Sequence, residues 1–201
     1  MNKLLIGTGN SAKLDTYREF LKDFDFEVVT SKDLKIPSPE EVGRNFEEQA
    51  IAKAKYYFQK SGLPSLVDDG GMEIVALNME PGIKSKRWIG REMTDHEIVS
   101  EVIKRMKDVP KEERGCRFTV VLALATPFGI FTSDATVEGV VGEQHSSKIT
   151  EGYPYDSVIY LPNYGKFVCE LKDSEYDIMN VRRHAFEKIK NIFKEIKKEY
   201  A

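Results

Sequence analysis

The stretch Leu4-Leu5-Ile6-Gly7-Thr8-Gly9-Asn10-Ser11-Ala12-Lys13-Leu14 passes from an apolar run, through a glycine-punctuated turn, into a helical pattern. Leu4 to Ile6 predicts a short strand, and Leu14, Tyr17 and Leu21 share one face of a helix expected from about Ser11 to Leu21. Outward from there, Phe26 to Thr30 predicts a second strand, and the prolines and glycine of Pro37-Ser38-Pro39-Glu40-Glu41-Val42-Gly43 predict a loop. A second helix is expected from near Asn45, with Glu48 three residues later in a capping-box pattern. Leu63 to Val67 reads as a strand ending in Asp68-Asp69-Gly70-Gly71, and Thr94 with Glu97 caps a third helix reaching about Lys107. Arg117 to Ala125 and Ile130 to Val141, separated by Thr126-Pro127-Phe128-Gly129, predict an antiparallel hairpin. Val158 to Leu161 and a shorter run near Phe167 are further strands. A last helix from about Asn180 toward Tyr200 turns Ala185, Ile189, Ile192, Phe193 and Ile196 inward. Helices alternating with strands, together with a long hairpin, predict an α/β fold with a mixed sheet.

The 201 residues suffice for one buried core or for two lobes around a cleft, and 41% hydrophobic with 31% charged residues is a globular composition. No repeat, low-complexity tract or linker interrupts the chain, so residues 1–201 are expected to form a single domain. Thirty basic against 33 acidic residues leave a net charge of -3, which gives no global attraction to nucleic acid or anionic lipid; any anion site has to be local. No apolar run approaches the roughly 20 residues of a membrane span, and the N-terminal apolar run is too short for a signal peptide. Cys116 and Cys169 make neither a disulfide framework nor a zinc site, so a cytoplasmic protein with two ordinary thiols is expected.

Several charges occupy positions that ask for a reason. The inward face of the second helix comprises Phe46, Gln49, Ala50, Lys53, Ala54 and Tyr57, which places Lys53 within the apolar stripe. An unpaired ammonium there would cost several kcal/mol, so Lys53 either meets an anion or snorkels past the core edge. Lys13 lies in the first turn of its helix, where the macrodipole disfavours a cation. Gly7 and Gly9 free the preceding loop to present N–H groups, while Thr8 and Asn10 add polar side chains; this is a phosphate cradle or a plain tight turn, and it does not match Walker A. Asp68 and Asp69, at an expected strand end, either chelate a hard cation such as Mg²⁺ or form a turn or helix cap. Glu41 is a third candidate oxygen ligand or an ordinary loop residue. Arg182-Arg183-His184 sits at a positive helix end, and Tyr153-Pro154-Tyr155-Asp156 offers aromatic surface beside a carboxylate, either for stacking on a base or as a rigid turn. A metal-chelating anion, and a nucleotide in particular, is the ligand that these readings share.

Taken in order, Thr8-Gly9-Asn10 with Lys13, Glu40-Glu41-Val42-Gly43, Asn45-Phe46 through Glu48, Ala50, Lys53 and Ala54, Val67-Asp68-Asp69-Gly70-Gly71-Met72, Pro81-Gly82 with Ser85 and Arg87, and Tyr155-Asp156 resemble the inosine triphosphate pyrophosphatase, or Ham1-like, family over nearly the full length. The resemblance implies an elongated two-lobed α/β fold around a mixed twisted sheet with flanking helices and a central active-site cleft. It also implies a homodimer and Mg²⁺-dependent hydrolysis of a nucleoside triphosphate, such as ITP, dITP or XTP, to monophosphate and pyrophosphate. By the same resemblance Asp69 and Lys53 are catalytic, and Glu41 and Asp69 serve the metal. Lys13 with Lys53 holds the triphosphate, and Thr8, Gly9, Asn10, Gly70, Tyr153, Tyr155, Asp156 and Arg182 line the substrate. The departures concern the base: Gly70 stands where the family has serine, Tyr176 replaces a lysine, and Asn180-Val181-Arg182 replaces Ser-His-Arg, so Val181 stands for the histidine. Each missing polar contact is worth about 1–3 kcal/mol, so base discrimination is expected to be relaxed. Two rival readings are a phosphoribosyltransferase, whose expected threonines after the acids are absent, and a degenerate nucleotide-binding module, against which the retained lysines and acids argue.

Overall fold

The computed structural model describes residues 2–199. Strand β1 (Asn2–Ile6) leads into helix α1 (Ser11–Leu21), then β2 (Phe26–Thr30), α2 (Phe46–Ser61) and β3 (Ser65–Ile74). The two-residue β4 (Glu80–Pro81), α3 (Asp95–Arg105), the long β5 (Gly115–Thr126) and β6 (Gly129–Val141), and the short β7 (Ile159–Leu161) and β8 (Lys166–Phe167) follow. Helices α4 (Asp173–Met179) and α5 (Val181–Glu199) close the described chain, and the expected continuation of α5 to Tyr200 lies outside the described residues. The eight strands form one sheet in the order β2-β1-β3-β5-β6-β7-β8, with β4 paired to β3. It is mixed: β1 runs parallel to β2 and to β3, whereas β3–β4, β6–β7 and β7–β8 are antiparallel. β5 and β6 are joined by only Pro127-Phe128, a connection that antiparallel strands alone permit.

Side chains close the helix ends. Asn10 Oδ1 accepts from the Ala12 and Lys13 amides to start α1, and Asn45 Oδ1 accepts from Glu48 N to start α2. Thr94 and Glu97 form a reciprocal capping box on α3. α2 stops at Gly62, whose φ of 68° is left-handed and whose amide returns to Phe58 O.

One expectation fails at β3, and a helix was missed. The strand does not end at Val67 but runs on through both aspartates and both glycines to Ile74. Gly70-Gly71 reads as a breaker, yet the missing side chain at Gly71 is what lets Ser85 pack against the strand: a Cβ there would collide with Ser85 Oγ and the Gly82 carbonyl. Ser85 Oγ accepts from Met72 N and donates to Gly82 O, and Glu73 and Ile74 pair with β4. Helix α4, which the sequence pattern does not announce, precedes α5.

The chain forms two compact units, and β3, β5 and β6 contribute residues to both. Unit 1 comprises Met1–Asp69, Val120–Ala135 and Arg182–Ala201. Its core buries Leu4, Leu5, Ile6, Leu66, Leu122 and Leu124, and Phe186 and Phe193 of α5 stack with ring centroids 5.2 Å apart. Unit 2 comprises Gly70–Thr119 and Thr136–Val181, with Met72, Ile74, Val99, Val102, Met106 and Val158 at its centre. Buried Arg114 ties this unit internally: its guanidinium donates to the carbonyls of Met106, Val109, Val141 and Gly142. No helix among the described residues is long and apolar enough to cross a membrane.

Candidate active site

Within unit 1, parallel pairing ends where β1 ends: Ile6 lies opposite Leu66, and the Gly7 amide donates to Leu66 O. Asp68 and Asp69 therefore stand just beyond the carboxyl end of β1, at the kind of strand end where open α/β sheets hold ligands. As consecutive strand residues they point to opposite faces. Asp68 turns toward α1 and α5, Asp69 toward α2, and each meets a lysine.

On the first face Asp68 is sealed, with its side chain 1% exposed. Its Oδ1 accepts from Lys13 Nζ at 2.5 Å, and its Oδ2 accepts from Tyr17 Oη at 3.0 Å and Arg182 Nε at 2.9 Å. Burial alone would raise this carboxyl, but the adjacent Lys13 and Arg182 cations outweigh it and hold the carboxyl down at about 2. The pair also accounts for Lys13, a cation at the wrong end of a helix dipole.

On the second face Lys53 Nζ bridges two acids, Asp69 Oδ1 at 2.9 Å and Glu41 Oε1 at 3.1 Å. The Lys53 side chain, 17% exposed, sits in the apolar stripe of α2, and its ammonium is satisfied by anions rather than by snorkelling. Desolvation would lower the Lys53 ammonium, yet Asp69 and Glu41 outweigh it and raise it. Asp69 shifts the other way from most paired carboxylates: burial raises it, Asp68 adds repulsion, and Lys53 compensates only in part. The pair thus fixes the lysine as a cation while leaving Asp69 the more readily protonated of the two adjacent acids.

In the loop over 7–10, read either as a phosphate cradle or as a plain tight turn, three of the four amides have partners. The Gly7 amide is on Leu66 O, the Thr8 amide on Ile6 O, the Asn10 amide on Thr8 Oγ1, and those of Ala12 and Lys13 on Asn10 Oδ1. Gly9 is exposed, with open space where a Cβ would stand. Gly7 is required by packing, since a Cβ there would run into the Tyr57 ring and Val67.

The remaining candidates separate. Arg182 joins the unit 1 cluster, through Asp68, and is 5% exposed. Gly70, Tyr153, Tyr155 and Asp156 belong to unit 2. There Tyr155 is a core residue: its hydroxyl donates to Ser85 O at 2.6 Å and its ring lies against Phe118. Tyr153 and Asp156 are half-buried, as is Tyr176 on α4, and Val181 is buried. Tyr17 is the site residue that sequence reasoning missed; its place on the apolar face of α1, one turn after Lys13, was legible, but its phenol oxygen was not.

A divalent cation can be tested against these donors. Glu41 and Asp69 supply hard carboxylate oxygens, converged on one ammonium and partly open to solvent. Among the described residues no three His, Cys, Asp or Glu side chains form a cage. Two carboxylates without a cage suit Mg²⁺, which takes one or two protein carboxylates and fills its sphere with water and phosphate oxygens.

Known proteins resemble the chain over most of its length. A protein named dITP/XTP pyrophosphatase from Haemophilus influenzae is 33% identical over 192 residues, covering 94% of this chain and 97% of that one. One of the same name from Thermus thermophilus is 38% identical over 170 residues, covering 84% and 81%. The solved structure of a HAM1 protein from Coxiella burnetii matches with a TM-score of 0.84 at 30% identity, over 97% of this chain and 100% of that one. The Ham1 family model matches residues 4–192, and the chain belongs to the Ham1 family.

Proposed function

We propose that the chain hydrolyses nucleoside triphosphates between the α- and β-phosphates, releasing a nucleoside monophosphate and pyrophosphate, with deaminated purine nucleotides of the dITP and XTP class as its substrates. The observation that carries this reading is the pair of lysine–carboxylate contacts, Lys13 with Asp68 and Lys53 with Asp69 and Glu41, on the two faces of β3 just past the end of β1. Two ammonium groups at such a strand end supply fixed positive charge for a polyphosphate. Asp69, the more readily protonated acid, takes a proton from the attacking water as the new O–Pα bond forms. The bond from Pα to the bridging oxygen then breaks, and pyrophosphate leaves with the electron pair. Glu41 and Asp69 would hold Mg²⁺, which when bound neutralises charge on the phosphate oxygens.

Base discrimination is relaxed in this reading, because Gly70, Tyr176 and Val181 stand where polar contacts to the base are expected. The reaction runs in the cytoplasm, and the working form is a homodimer.

A panel of ITP, dITP, XTP, GTP, ATP and pyrimidine triphosphates with Mg²⁺, with product identification, tests the proposal. Turnover of the deaminated purines to monophosphate and pyrophosphate is expected, with GTP and ATP as secondary substrates. Nucleotide binding without turnover under any divalent ion returns the chain to a binding module; an absolute preference for ITP and XTP overturns the relaxed selectivity and leaves the hydrolysis standing.

A further inference from the structure

Asp68 is the most crowded acid of the site, and one of its donors is not a cation. α1 delivers two groups to the same carboxylate from successive turns: Lys13 Nζ to Oδ1 and, four residues on, Tyr17 Oη to Oδ2. Arg182 at the start of α5 shares Oδ2. Tyr17 is 1% exposed, and its ring packs edge-on against Phe20 with centroids 5.8 Å apart, so the phenol oxygen is fixed in place. Lys13 is the member of this cluster that solvent reaches, with a side chain 19% exposed.

These positions create a conflict that any anionic ligand has to resolve. A phosphate that draws Lys13 to itself takes a partner from a carboxylate that is only 1% exposed. Leaving a buried charge short of partners is costly, so the carboxylate competes with the ligand for the ammonium. The competition weakens if the other oxygen of Asp68 is saturated from elsewhere. Arg182 supplies one donor and the Tyr17 hydroxyl a second, and the hydroxyl does so without adding a positive charge. Phenylalanine at position 17 would fill the same space and leave the carboxylate more dependent on Lys13.

We infer that Tyr17 is a positioning residue: by donating to Asp68 it frees Lys13 to transfer its charge to the phosphates of the bound nucleotide. This inference rests on the hydrolytic reading of the site, and it names a role for a residue that touches neither substrate nor metal.

The test compares Tyr17→Phe and Lys13→Met, alone and together, in steady-state turnover of the best triphosphate and in competitive inhibition by inorganic tripolyphosphate, which has no base. For Y17F the KM and the tripolyphosphate Ki are expected to rise by about three- to tenfold, with a smaller fall in kcat, the pattern of a lost binding contact. In the K13M background the same substitution should change neither constant further, because the path runs through Lys13. If Y17F keeps the wild-type KM and Ki, or if its effect is undiminished in K13M, the inference fails. Tyr17→Met, a second hydroxyl-free variant, carries the same expectation should Y17F not fold. Failure of the hydrolytic reading is distinct, since it appears as absence of turnover in the unsubstituted protein.

Discussion

At the scale of single residues, the two adjacent aspartates sit in different surroundings. Asp68 is sealed among three donors and held down at about 2 by two cations, whereas Asp69 is raised by burial and shares Lys53 with Glu41. Of the two, Asp69 has the more open carboxylate, which is why the proposal gives it the proton of the attacking water. Asp69→Asn, nearly isosteric, is expected to lower kcat by at least about a hundredfold while far-UV circular dichroism and melting temperature stay close to wild type. Turnover within a few-fold of wild type would remove Asp69 as the essential carboxylate. Lys53 was legible because a charge interrupted an apolar stripe, and its partners turned out to be the acids flagged for other reasons. The difference between Asp68 and Asp69 was not legible, because it depends on Tyr17 and Arg182, 51 and 114 positions away in the chain.

Among the elements, those with their own punctuation were read well. Asn45 and Thr94 announced α2 and α3, and the β-branched runs on either side of Thr126-Pro127-Phe128-Gly129 announced β5 and β6. β3 was read short because Gly70-Gly71 carries the local signature of a break, whereas Ser85 and β4 hold it in the sheet. Likewise the loop over 7–10 stayed open between a cradle and a tight turn, because glycine content says nothing about where each N–H goes. Arg114 shows the same limit in unit 2: an arginine next to a strand gives no sign that it will be buried and bind four carbonyls, from the segment after α3, the end of β6 and the residue that follows it. Arg114→Met leaves those carbonyls without their donor and is expected to cost about 3 kcal/mol or more, a fall in melting temperature of about 6 °C or more. A calorimetric midpoint within a degree of wild type would show that the guanidinium contributes nothing net.

For the whole molecule, the fold class followed from the sequence; two lobes were implied only by the family resemblance, and no linker marks where one compact unit gives way to the other. The boundaries fall inside β3, β5 and β6, where the residue pattern is continuous. Lys13, Glu41, Lys53 and Asp69, the groups proposed to act on phosphates, all lie in unit 1. Both cysteines and the single tryptophan, Trp88, belong to unit 2, which makes that unit separately observable. Cys116 and Cys169 are free and buried, and burial pushes the Cys116 thiol up to about 12 and raises Cys169 as well. At pH 8 a disulfide reagent should leave both thiols unreacted in the native protein and modify both in denaturant, with exposure tracking the change in Trp88 fluorescence. Rapid modification of either thiol in the native state would contradict the buried core described for unit 2.

The position of bond cleavage is the centre of the account, and isotope transfer from water measures it. Turnover of ITP with Mg²⁺ in ¹⁸O-enriched water, followed by phosphorus NMR and mass spectrometry, is predicted to place one ¹⁸O on inosine monophosphate and none on pyrophosphate. Label in pyrophosphate, or release of inorganic phosphate with a nucleoside diphosphate, would place the attack at another phosphorus and contradict the proposed role of the paired lysines and Asp69.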